Sequence, residues 1–325
     1  MPENKKVNID DVAKRAGVSI ATISRYLNGQ LNRMSTKTAD KIAKIIDEME
    51  YVPNAAARQL VTQSSHLIAV IAFDIDDYFT SEFFKGISEI LATAGYTPVL
   101  FDSNSDAQRE RELLKIVSEQ NFDGLIMQPI LHDAAELKEL LKREMPMITL
   151  DREIEGFPAV ITNNETIATQ MAQHFRQQGY ERMIIVTNPI DQASTRAQRI
   201  RGIEAVFSDA PILEVPQHGQ QDAFMVSGVQ NLIAGRTEKV VVFVLKENLL
   251  MKLLGAPGRE TLWHNPQITF SGFADTNAFS LLTKPLALVK QQPYLMGATA
   301  AELLLKKFSG QAIEPRTIIP ALFHK

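Results

Sequence analysis

The chain predicts a two-part molecule: a small all-α helix-turn-helix head at the N-terminus, then an α/β body of two doubly wound parallel-sheet lobes. Three observations predict it. Residues 8–28, NIDDVAKRAGVSIATISRYLN, hold two short helix patterns separated by a glycine turn. From Leu67 onward, short apolar runs alternate with amphipathic patterns, as in strands joined by crossover helices. The charge is also uneven. Residues 1–60 carry 10 Lys and Arg against 7 Asp and Glu, net +3, which within a whole-chain charge of −4 leaves −7 for the rest. Any nucleic-acid footprint therefore belongs at the N-terminus.

Asn8 caps the first helix with Asp11 at its third position, and Gly17 supplies the left-handed residue that stops it. Ser19 caps the second helix. Val12, Ala13 and Ala16 face Val18, Ile23 and Leu27 across a shared small core. In such a unit the start of the second helix meets base edges in the major groove, here through Ile20, Ala21, Ser24 and Arg25. Arg25 suits a bidentate guanine contact, and the methyls of Ile20 and Ala21 suit thymine. Ser35 caps a third helix running through Met49, with Ala39, Ile42, Ala43, Ile46 and Met49 as its apolar face, and Pro53 ends it. Ala55 to Leu60 are good helix formers over only two turns, so they should order only when something packs on them. A plain spacer is the other reading of that segment.

In the body, 67–73, 99–101, 124–127 and 147–150 read as strands, with helices at 81–94, 110–120 and 134–144. A second set of strands, 160–162, 183–187, 211–215, 240–245 and 268–273, alternates with helices near 165–178, 197–207, 222–234 and 247–254. Two such halves bind ligands in the crevice at the strands' carboxyl ends.

The composition narrows the chemistry. With 325 residues, 45% hydrophobic and 22% charged, the chain suits two or three ordinary globular domains. It has neither a long apolar span nor a secretory leader, so a cytoplasmic protein without membrane contact is expected. Zero cysteines exclude disulfides, thiolate metal sites and cysteine nucleophiles. The six histidines never fall at helical metal-site spacing, and no cofactor is expected. Phe73-Asp74-Ile75-Asp76-Asp77 imitates the DxD loop of haloacid-dehalogenase-type phosphatases, but Tyr78 stands where that motif wants Thr or Val. The carboxylates are better read as caps for the next helix. Asn164-Glu165-Thr166 is a coincidental glycosylation sequon. No convergent nucleophile and base are found, so an enzyme is not expected.

DDVAKRAGVSIATISRYLNG, followed by STKTADKIAKIIDEMEYVPNAAARQL, resembles the DNA-binding head of the LacI family of bacterial transcription regulators. The rest of the chain resembles that family's periplasmic-binding-protein-like core. The resemblance implies a head at 1–60 with a hinge helix at 54–60, a linker at 61–66 and a core at 67–325. Lobe 1 would cover about 67–159 and 289–318, and lobe 2 about 160–288 and 319–325, with 285–310 returning to the first lobe. Head residues expected at DNA are Asn8, Ser19, Ile20, Ala21, Thr22, Ser24, Arg25 and Asn28. Asn54, Ala57 and Leu60 would serve in the hinge, with Leu60 wedged into the minor groove. Effector contacts carried over are Phe79, Asp151, Asn163, Arg199 in Arg199-Ile200-Arg201-Gly202, Lys246 and Asp275. Partners would be double-stranded operator DNA, a carbohydrate-type effector and a second copy of the chain, since a head of +3 binds weakly alone.

Three departures from the family pattern stand out: Asn163 where Asp is usual, Lys246-Glu247 where Asn-Asp is usual, and Asp275 one place late after Gly272-Phe273-Ala274. Two remove a carboxylate and one adds an ammonium. They point to an anionic effector paired with Arg199 and Lys246. The alternative is a solvated Lys246, with Asp275 in its usual role. A regulator that depends on a corepressor or partner protein, and more distantly a solute-binding protein, are the competing functions.

Overall fold

The computed structural model describes residues 7–27, 29–51, 64–190, 195–216 and 219–324. It divides into two compact units, Met1–Ser65 and His66–Lys325. The expected hinge helix with Asn54, Ala57 and Leu60, and the expected contact Asn28, lie outside the described residues.

The first unit contains α1 (Ile9–Ala16), α2 (Ile20–Leu27) and α3 (Thr36–Glu48). The capping box forms in both directions: Asn8 Oδ1 accepts the Asp11 N–H at 3.0 Å, and Asp11 Oδ2 accepts the Asn8 N–H at 3.1 Å. Gly17 ends α1 at φ 65°, a left-handed conformation, and Ser19 Oγ accepts the Thr22 N–H at 3.2 Å to start α2. Val12, Ala13, Ala16, Ile23, Ile42, Ile45 and Tyr51 form the core. The inward stripe of α3 differs from the expected one. Ile42 and Ile45 are buried, Ala39, Ile46 and Met49 lie half-buried, and Ala43 is exposed. The longer isoleucine fills a gap that a methyl group would leave open.

The second unit has two six-stranded sheets. The first takes the order β11-β5-β4-β3-β1-β2, all parallel, from β1 (Leu67–Ala72), β2 (Thr97–Asp102), β3 (Gly124–Met127), β4 (Met147–Leu150), β5 (Ala159–Thr162) and β11 (Arg316–Ile319). Its helices are α4 (Tyr78–Thr93), α5 (Ala107–Glu119), α6 (Ala134–Leu141) and α12 (Pro293–Phe308). The second runs β12-β10-β9-β8-β6-β7, from β6 (Arg182–Thr187), β7 (Ile212–Glu214), β8 (Val240–Val244), β9 (Ile268–Phe273), β10 (Ala287–Lys290) and β12 (Leu322–His324). Only β12 is antiparallel to its neighbour. It is joined by α7 (Asn164–Gln177), α8 (Thr195–Glu204), α9 (Gln221–Ile233), α10 (Glu247–Gly255) and the short α11 (Glu260–Trp263). The unbroken apolar runs of β1 and β8 are buried on both faces, as central parallel strands require. Among the described residues no helix is long and apolar enough to cross a membrane.

Two lobe boundaries differ from expectation. Val160–Thr162 was expected to open lobe 2, yet β5 sits inside the first sheet between β4 and β11. The stretch 285–310 was expected to belong to lobe 1, yet β10 pairs with β9 in the second sheet and only α12 returns. An apolar run shows that a strand exists, whereas its sheet is settled by partners distant in sequence. α12 packs on α4 so closely that a Cβ on Gly297 would lie 2.0 Å from the Phe83 carbonyl oxygen, and one on Gly86 would lie 2.1 Å from that of Tyr294.

The chain passes between the lobes after β5, after β10 and after β11. These crossings are tied together. Asn163 Oδ1 accepts the Ala321 N–H at 2.8 Å, and Gln292 Nε2 donates to the Pro320 carbonyl at 2.6 Å. Asp275 Oδ1 accepts from the N–H groups of Gln291 and Gln292 at 2.6 and 3.1 Å.

Candidate nucleic-acid interface and interlobe cleft

On the head, the exposed side of α2 carries Ser19, Ile20, Ala21 and Arg25, with Thr22 and Ser24 half-buried beside them. Ile20 is 47% exposed, too much for a core residue on so small a unit. Three of the expected contacts already have local work. Asn8 caps α1, and the Ser19 and Thr22 hydroxyls share a hydrogen bond of 2.9 Å at the start of α2. They fix the angle at which Ile20, Ala21 and Arg25 project, and their outer atoms remain at the surface.

In the body, the carboxyl ends of the two sheets face each other across a cleft holding a cavity of about 60 Å³. Phe79, Asp151, Arg199, Lys246 and Asp275 line it together, five of the six expected effector residues. Asn163 does not. Its side chain is used at the crossing, where Oδ1 accepts the Ala321 N–H.

Arg199 anchors the floor. It projects from the middle of α8, donates through Nε to Asn164 Oδ1 at 2.8 Å and through one terminal nitrogen to the Leu245 carbonyl at 2.7 Å, and stacks 3.7 Å from the Phe273 ring centre. Burial lowers its pKa to about 10, against the pull of Asp151, Asp275 and Asp77, so it stays charged at neutral pH. Opposite it, burial raises Glu247 to about 7 and Asp275 to about 6, although each accepts two backbone N–H bonds. Burial likewise lifts Asp77 above the usual carboxylate range.

Lys246 is not a solvated loop lysine. Its ammonium crosses the cleft to Asp74 Oδ2 at 3.0 Å and Asp77 Oδ2 at 3.7 Å. Burial pushes Asp74 up, but the charge and hydrogen bond of Lys246 outweigh it and hold that carboxyl below its ordinary value. The side chain expected to meet an anion thus already has anions of its own and draws the two lobes together. Asp77 also caps α4 through the Phe79 N–H at 3.3 Å, as its position after β1 implied.

Several residues in or beneath the site were not among those expected, and four of them have telling surroundings. Arg152 lies 4.1 Å over the Phe73 ring and donates to the Pro129 carbonyl, while its buried Nε has no partner. Gln128 donates to Asp151 Oδ2 at 3.0 Å. Asn164, the sequon residue, is buried beneath Arg199. Glu247 was seen only as part of a departure, yet its Oε1 is buried and unpartnered, as is Asp151 Oδ1. The one local signal was the Asp151-Arg152 pair after a strand. Asp151 takes φ +67°, which breaks strand alternation and turns two successive side chains toward the same cleft. One donor and two acceptors, all buried and unpartnered, thus belong to residues lining one small cavity.

Comparison with known proteins matches residues 8–54 to the bacterial regulatory proteins of the lacI family, and residues 68–312 to a periplasmic binding protein domain. The chain is similar to the transcriptional regulator PtxS of Pseudomonas aeruginosa, 30% identical over 72% of this chain and 69% of that one. Among solved structures it resembles a LacI transcriptional regulator from Lactobacillus brevis, with a TM-score of 0.75 and 38% identity, covering 80% of this chain and 100% of that one. It also resembles the lac repressor dimer bound to operator and the anti-inducer ONPF, with a TM-score of 0.83 and 25% identity, covering 99% and 98%.

Proposed function

Because the chain belongs to the LacI family of bacterial regulatory proteins, we propose that it is a cytoplasmic, dimeric repressor of carbohydrate-metabolism genes whose hold on a pseudo-palindromic operator is set by an anionic sugar in the interlobe cleft. The observation that carries the DNA reading is the open face of α2, where a capped helix presents Ile20, Ala21 and Arg25 and buries only Ile23. A dimer follows from the weak charge of one head, and the lac repressor it resembles is a dimer on operator. Two-fold symmetry then gives each recognition helix one half-site.

Arg25→Ala is expected to weaken operator binding by about 1–3 kcal/mol and to relax preference at one base pair. Titration against operator and random duplexes at matched salt reads both effects. An unchanged preference between the two duplexes would remove Arg25 from base recognition. The same gel-shift with purified protein alone separates this reading from a partner-dependent regulator, which would shift operator only when the partner is added.

The cleft is read as a sugar-acid or sugar-phosphate site. Arg199, Arg152 and, once released from Asp74, Lys246 offer positive charge, and the free oxygens of Asp151 and Glu247 accept hydroxyls. The acids give the reading a pH signature. Lowering pH from about 8 to about 5.5 protonates Glu247 and then Asp275, removing negative charge beside the ligand, so an anionic sugar should bind roughly tenfold tighter with proton uptake. A neutral sugar held by those carboxylates should weaken instead. Calorimetry in buffers of different ionisation enthalpy measures the proton count, and proton release on binding of a uronate would contradict the anionic reading.

A further inference from the structure

Glu110, in the first turn of α5, is a fully buried carboxylate outside the residues that line the cleft cavity. Its two oxygens accept the Ile130 N–H at 3.1 and 2.9 Å, and Oε1 also accepts the Leu131 N–H at 2.9 Å. The carbonyl of that same 129–130 peptide group accepts from Arg152 Nη1 at 3.1 Å. One peptide group is therefore clamped between a buried carboxylate and the buried guanidinium of Arg152, which lines the cavity. Resting on the reading of the cleft as a sugar-acid site, we infer that Glu110 is a positioning residue for the effector: acting through the 129–130 peptide, it fixes the guanidinium of Arg152 that meets the ligand's acidic group.

The two ends of the peptide reinforce each other. A carboxylate drawing on the N–H shifts electron density toward the carbonyl oxygen, which then holds a cation more firmly. Arg152 depends on that hold. Its hydrogen bond goes to a carbonyl and not to a carboxylate, its flat face lies 4.1 Å from the Phe73 ring centre, and its Nε has no partner. Burial pushes the Glu110 carboxyl above its ordinary value, while the two N–H groups and the charges of Arg152 and Arg111 pull it back. Gln128, on the same loop, has anchors of its own. Its N–H donates to the Ile71 carbonyl at 2.9 Å and its Oε1 accepts the Phe73 N–H at 3.2 Å, so its bond to Asp151 does not pass through Glu110.

Glu110→Gln keeps the shape of the side chain but sets an amide NH2 against backbone donors. The test is a double-mutant cycle on the full-length protein with Glu110→Gln, Arg152→Met and the pair, and with the exposed neighbour Glu112→Gln as control. Calorimetry with glucuronate should show Glu110→Gln binding about tenfold weaker than the parent, yet changing affinity by less than about twofold once Arg152 is Met. Without ligand, the fall in urea midpoint caused by Glu110→Gln should shrink by about half or more in the Arg152→Met background. Amide exchange followed by NMR on Arg152→Met alone does not require Glu110→Gln to fold. The Ile130 amide should exchange about fivefold faster there, while the Leu131 amide, on the same carboxylate but a different peptide, keeps its rate.

Equal effects of Glu110→Gln in both backgrounds, or an unchanged Ile130 rate, overturn the proposal. So does parent-like glucuronate binding by Glu110→Gln, even if the stabilities couple. If the parent protein does not bind glucuronate, the sugar-acid reading fails by itself, and the urea and exchange measurements still decide whether Glu110 holds Arg152.

Discussion

Arg199→Ala is expected to destabilise the body by about 3–5 kcal/mol, lowering its melting temperature on the order of 10 °C, and to abolish any response of DNA binding to effector. The guanidinium is fully buried among Asp151, Asp275 and Asp77, so its removal leaves carboxylates in low dielectric without their counter-charge. Loss of two hydrogen bonds and of the Phe273 stack adds to this. Lysine cannot substitute, because a point charge lacks the planar fork that reaches Asn164 and Leu245 at once. Acid should partly rescue the variant, since protonation of the orphaned carboxylates removes the repulsion. A loss below about 1 kcal/mol with no recovery toward about pH 5 would mean that the floor of the cleft does not depend on this residue.

Gly297→Ala should destabilise the first lobe by about 2–3 kcal/mol, at the upper end of overpacking effects. The new methyl would meet the Phe83 backbone 2.0 Å away, and no side-chain rotation relieves a clash with a carbonyl. Either α12 lifts from α4 or the helix bends, and both open the core around Phe83, Ile87, Met296 and Ala300. Gly86→Ala should behave alike from the other side, and the pair should be strongly non-additive because a single separation of the helices accommodates both. Gly255→Ala is the control. Nothing lies within 4 Å of its Cβ position, so denaturation should shift by no more than about 0.5 kcal/mol. Equal midpoints for Gly297→Ala and this control would show that the helices are not in backbone contact.

The cap and stop of α1 were legible almost to the atom because their determinants are local. Asn8 and Asp11 lie three residues apart, and Gly17 follows a helical pattern directly, so spacing alone fixes the cap and the stop. The α/β alternation was legible for the same reason. Sheet membership was not: β5 joins β11 across more than a hundred residues, and nothing within Ala159–Thr162 encodes that partner. The cleft divided similarly. Residues at strand ends, such as Asp151 and Asp275, could be placed from their position, but the pairing of Lys246 with Asp74 spans 172 residues. Sequence reveals an ammonium but not the carboxylate waiting for it. Arg152 escaped because strand alternation would send it away from its neighbour, and only the left-handed turn at Asp151 brings it back.

The lacing of the three crossings by Asn163, Gln292 and Asp275 makes that edge of the body an axle. In both sheets the order of strands sets β2 and β7 at the rim farthest from it. Four strand spacings of about 4.8 Å put that rim roughly 20 Å away, so a turn of about 10° sweeps it by about 3.5 Å while the neighbourhood of Asp275 barely shifts. On the proposed reading, ligand atoms near the axle would be gripped without being felt, and those near the rim would work the longer lever arm.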